Sequence, residues 1–295
     1  MLNLLRAEIL KQGRLKLIML IAISPAILTC LVLGALVFMK IGGVDFGNVP
    51  NSGSTTLDIG AGTFALASNI LIVSVGGLYL IGLVIVGGMV GSNEYSWHTI
   101  KMLATREPSR PRIILSKTLF LVTLAAFMAV ILLFGWLVLG LVFKVLFNSA
   151  QDAANVDGNA IANGLRYLVS VFLVYLIWSF LTMFLAVRFK SVVVAIIFYF
   201  VINTLDGIVS SLGAAALSGQ LGTRFPNWLE PLINIAEFIS PFLVNFSLNQ
   251  LTASPQNVLL IKNVSPVQSG LVLLVWAGLF IWAAVSVFNK RDITE

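Results

Sequence analysis

The chain is dominated by long apolar runs without a single charge. Between Lys16 and Lys40 lie 23 uncharged residues, Leu17 to Met39. A membrane-spanning helix needs about 20 consecutive apolar residues. The charge-free stretches supply six, at about 17–39, 64–91, 118–143, 167–187, 191–214 and 266–288. The first is longer than the core of a cleaved signal sequence, about 7–15 residues, and reads as a retained span. The expectation is an all-α integral membrane protein: one domain over 1–295, six transmembrane helices, and no nucleotide-binding domain.

Charge is scarce and unevenly placed. Only 10% of the 295 residues are charged, against roughly 25% in a water-soluble globule. The missing polar surface therefore faces lipid. The net charge of +6 does not point to nucleic acid, because the basic residues sit in short loops between apolar runs. With six spans both termini share a side. That side holds 13 Lys and Arg and the opposite side 5, so the positive-inside rule puts both termini in the cytoplasm. No organelle signal is recognisable.

Several chemistries lack their residues. Cys30 is the sole cysteine and His98 the sole histidine. This excludes an internal disulfide and a cysteine metal site, and leaves zinc sites and His-based triads without support. No catalytic or metal-binding residues are assigned. ATP hydrolysis by the chain itself would need a GxxxxGK[ST] loop, and the dipeptide Gly-Lys does not occur. Ion-coupled transporters carry ionisable groups within their spans. Here the lone candidate is Asp206, roughly 23 Å into the fifth span. It is either the hydrated end of that span or part of a substrate path.

The segment 91–119 is the most informative. Ser92 or Asn93 is placed to cap a helix with Glu94 in its first turn. Trp97, Ile100 and Leu103 or Ala104 then recur at helical spacing, and Pro108 ends the helix. Arg110, Arg112 and Lys117 open the third span, where they can anchor to headgroups. The expected product is an amphipathic helix over 92–108. It either rests on lipid or docks into a cytosolic partner.

The pattern Glu94-Tyr95-x-x-x-Thr99-x-x-x-Leu103, then Ser109-Arg110, then Lys117 resembles the cytoplasmic loop of ABC-2-type ABC transporter permeases. The layout of spans, the basic amphipathic N-terminal segment and the ending Phe288-Asn289-Lys290-Arg291 are also similar to that family. One departure is His98, where the family commonly has Gly. The resemblance implies that 92–108 is a coupling helix seated in a separate cytosolic ABC ATPase subunit. Glu94, Tyr95, Trp97, His98, Thr99, Leu103 and Arg110 are the coupling candidates, with His98 either at that interface or a partly exposed polar residue. ATP and Mg would be bound by the partner, and this chain would hold no cofactor. Two permease copies, or this chain with a related permease, would pair with two ATPases. The same resemblance, carried by 91–119, gives the bacterial inner (plasma) membrane as the expected location.

Other segments complete the picture. Leu2, Leu5 and Ile9 oppose Arg6 and Lys11 in an amphipathic N-terminal helix at the inner interface. Gly87 and Gly91 have the small-xxx-small spacing that lets helix backbones approach, within one subunit or across a dimer. Asn69, Asn203 and Asp206 gather polar groups near the outer ends of the second and fifth spans and are the substrate-path candidates. The stretch 231–246 is too short and too polar to cross, and suits an external helical hairpin between the fifth and sixth spans. The functional expectation is the permease subunit of an exporter for a peptide, antibiotic, lipid or other amphiphile. The alternative is a self-contained secondary transporter or channel.

Overall fold

The computed structural model describes residues 77–96, 110–147, 158–217, 230–247 and 266–290, together with Arg6, Glu8, Leu10, Ile27, Cys30, Leu31 and Gly34 as helical positions. Among the described residues every regular element is helical. In order they are α1 (Gly77–Ser96), α2 (Arg110–Phe147), α3 (Gly158–Phe189), α4 (Val192–Leu217), α5 (Glu230–Ile239) and α6 (Pro266–Asn289). A single 3-10 turn, Ser240–Phe242, follows α5. The apolar stretches of α2, α3, α4 and α6 are long enough to cross a bilayer, which marks the chain as an all-α membrane protein. In hydrocarbon each backbone N–H and C=O must find its partner inside the segment, so such stretches close as helices whatever their propensity in water.

The centre of the bundle is α3. Within its spanning window 72% of residues are buried, against 17% for α4 and for α6. Helices α1, α2, α4 and α6 all pack on α3. Around it lie two apolar clusters, one with Leu121, Met128, Phe180 and Met183, the other with Ile177, Trp178, Leu181 and Tyr199. Trp178 meets Tyr199 edge-on at 5.3 Å between ring centroids. The opposite faces of α4 and α6 are apolar and open, with Val193, Ile197 and Leu205 on one and Leu271, Val275 and Trp282 on the other. The hydroxyls of Ser179 and Thr182 inside α3 are satisfied locally. Ser179 Oγ donates to Leu176 O, and Thr182 Oγ1 to Trp178 O or Ser179 O, each at 3.0 Å.

Helix α1 lies tightly against α3. A Cβ at Gly87 would lie 2.6 Å from both Ser179 O and Thr182 Oγ1. One at Gly91 would lie 2.7 Å from Met183 O and 2.8 Å from Ala186 Cβ. The Gly87-x-x-x-Gly91 spacing is thus used for packing within the chain, where small residues let the two backbones meet.

Between α3 and α4 the chain reverses on two residues, Lys190 and Ser191. Lys190 sits at φ 57, the left-handed conformation common just after a helix C-terminus. Ser191 then caps α4, its Oγ accepting the Val194 N–H at 3.5 Å.

One boundary differs from the sequence expectation. Residues 92–96 continue α1 rather than opening a new helix, and Ser92 Oγ donates to Gly88 O at 3.0 Å in the manner of a mid-helix serine. Neither Ser92 nor Asn93 is therefore an N-cap. Helix α2 begins at Arg110 with Pro111 in its first turn, where a missing N–H costs nothing.

Candidate functional site

Two polar assemblies interrupt the apolar bundle. The first closes the base of the segment that joins α1 to α2. Glu94 and Lys117 are both buried, each about 3% exposed. Lys117 Nζ donates to Glu94 Oε2 in a salt bridge and to Val90 O at 2.5 Å. Burial of two opposite charges is tolerated because they pair and because the ammonium has a second acceptor on the same helix. Lys117 is therefore no headgroup anchor. Tyr95 is half-buried and packs on the apolar cluster beside α2 and α3. Arg110 opens α2. Trp97, His98, Thr99 and Leu103 lie outside the described residues.

The second assembly is a clasp on the segment 230–247. This segment runs back along α4: Ala236 and Ser240 pack on Gly213, and Val244 and Asn245 reach Asp206. At 1.5 Å per residue, Asp206 lies about 21 Å along α4 from Val192. The segment therefore re-enters to near the middle of the bundle. Its backbone breaks helix at Leu243, which is extended (φ −85, ψ 151), and resumes over 244–247. Asp206 caps that restart. Its Oδ1 accepts the Val244 N–H at 3.3 Å and its Oδ2 the Asn245 N–H at 2.8 Å. A carboxylate at helix-starting amides is favourable both as acceptor and as charge. Asn245 Nδ2 donates to Asn203 O or Oδ1, at 3.4 and 3.3 Å. From the other side, Trp276 Nε1 on α6 donates to Phe242 O at 2.8 Å. The outward face of the segment carries Ile235, Phe238, Ile239 and Phe242, all exposed.

Asn203, Asp206, Ser210 and Gly213 form one stripe of α4, and the re-entrant segment lies along it, with contacts at Asn203, Asp206 and Gly213. The polar atoms of Asn203 and Asp206 are thus engaged inside the chain. Asp206 is buried, at 9% exposure, rather than a hydrated helix end. Asn69 lies outside the described residues. The buried role of Lys117 and the clasp were not foreseen from sequence. The spacing 203, 206, 210 and 213, matched by Asn245 and Ser240 on the later segment, was the available signal.

Among known proteins, the chain is 25% identical over 221 residues to the uncharacterized protein YhcI of Bacillus subtilis (strain 168), a match that covers 73% of this chain and 64% of the relative. This chain thus aligns with less than two thirds of that relative's length. A family model matches residues 17–294, nearly the whole sequence. The chain belongs to the family described as protein of unknown function DUF2705.

Proposed function

We propose that the chain is the membrane-spanning permease subunit of an ABC-2-type ABC transporter, driven by ATP hydrolysis on a separate cytosolic subunit. The observation that carries this reading is the loop between α1 and α2. Its sequence resembles a permease coupling loop from Glu94 to Lys117, and its two flanks are drawn together by the buried pair of those same residues. A segment held at its base this way is suited to receive a push from a partner and pass it to the bundle. In this reading six spans cross a bacterial cell membrane and both termini face the cytoplasm, as the 13-to-5 bias of basic residues favours. Two permeases, identical or related, would assemble with two ATPases. The open apolar faces and the scarcity of polar anchors in the spans suit export of an amphiphile such as a peptide, antibiotic or lipid.

The rival, a self-contained ion-coupled transporter, draws little support from Asp206. That carboxylate is occupied as a cap for residues 244–245. The experiment is purification from the native membrane in mild detergent, followed by transport in vesicles. An ABC ATPase in equal copy number and uptake that needs ATP support the proposal. Full transport by the purified chain alone contradicts it.

A further inference from the structure

Glu94 lies two residues before the end of α1, and Lys117 seven residues after the start of α2. The whole of 97–109 is strung between them. Apart from this region, α1 and α2 have little direct contact, since α1 packs chiefly on α3. Lys117 Nζ reaches two successive turns of α1, the carbonyl of Val90 and the carboxylate of Glu94. Two attachment points one turn apart fix both the rotation and the height of α1 against α2. Because the pair is buried, water neither screens it nor competes for its hydrogen bonds.

We infer that Glu94 and Lys117 form a clamp that makes the end of α1 and the start of α2 move as one body. They are positioning residues: their side chains face each other in the interior and not a partner's surface. The clamp follows from the geometry alone. Its task, passing a push on the loop to both helices together, rests on the function proposed above.

The test uses the full chain in lipid nanodiscs, with Cys30→Ser and spin labels at Ser96→Cys and Pro111→Cys. Double electron–electron resonance then reads the distance between the two ends of the loop. The comparison is with E94M/K117M, because removing both charges avoids leaving one buried alone, and apolar replacement of a buried pair is well tolerated. The parent should give a narrow distribution and E94M/K117M a broad one, with the thermal midpoint close to the parent's. A distribution as narrow as the parent's overturns the clamp. If E94M/K117M does not fold, K117M, which removes both attachment points, is read by the same criterion.

A second pair of labels, at Pro111→Cys and Lys290→Cys, follows α2 against α6 in complexes that retain the ATPase. Trapping with ADP and vanadate should shift this distance in the parent and not in E94M/K117M. An equal shift in both removes the force-passing role. A parent chain without any bound ATPase sinks the functional reading, and the 96–111 distance still decides the clamp.

Discussion

The carboxylate of Asp206, deep in α4, accepts the backbone N–H of Asn245 at 2.8 Å. With the bond to Val244, it makes a transmembrane helix the cap of a segment nearly forty residues further along the chain. Removing the carboxylate leaves two amides without acceptors where water is scarce. Asp206→Ala is expected to lower stability by ~2–6 kcal/mol, at about 1–3 kcal/mol per orphaned group, and to raise hydrogen exchange over 240–247. Asp206→Asn keeps one good acceptor and should fall between. Exchange measured by mass spectrometry checks both.

The helix contact at Gly87 has no room for a methyl group, because the obstacle is the backbone carbonyl of Ser179 at 2.6 Å. Gly87→Ala should force α1 from α3 and cost ~1–3 kcal/mol, as overpacking does. Gly88 differs: its nearest neighbour is a methyl of Val192 at 3.3 Å, so Gly88→Ala should shift the thermal midpoint much less. Thermal unfolding of the two variants in the same detergent makes the comparison.

The pair Glu94–Lys117 should behave non-additively. Lys117→Met alone leaves a buried carboxylate, and Glu94→Leu alone a buried ammonium; each is expected to cost ~3–5 kcal/mol. The double apolar replacement should recover most of that loss, whereas independent sites would simply add. A double-mutant cycle on unfolding midpoints reads the coupling.

Lys190 holds a left-handed backbone, φ 57, between α3 and α4. An L-residue there carries a cost of ~1–2 kcal/mol that glycine does not. Lys190→Gly should therefore raise the thermal midpoint, and Lys190→Val should lower it, since a β-branched side chain fits this region worst.

Much of the fold was legible because hydrocarbon imposes a simple rule on sequence. The charge-free runs ending before Arg188, starting after Lys190 and starting at Pro266 marked the C-terminal end of α3 and both ends of α4 and α6 to within a few residues, whereas α3 begins at Gly158, well ahead of 167. The close-packing glycines at 87 and 91 were legible as a motif, though their partner on α3 was not, since spacing names a surface and not what it meets. Glu94 was read as a first-turn residue of a new helix and a coupling candidate, yet it is buried near the end of α1. Its burial depends on Lys117, 23 residues away, and single-residue patterns carry no such pairing. Asn203 and Asp206 were read as substrate-path candidates, with a hydrated span end as the alternative for Asp206, because their partners, Val244 and Asn245, lie beyond a long intervening loop.

The most direct test of the central proposal is photocrosslinking from the loop in living cells. With benzoyl-phenylalanine in place of Leu103, irradiation should join this chain to a cytosolic protein bearing a Walker A motif, and mutating Glu94 and Lys117 together should change the yield. The proposal is contradicted if no ATPase is captured and a cysteine at position 98 is labelled by a membrane-impermeant reagent applied from outside.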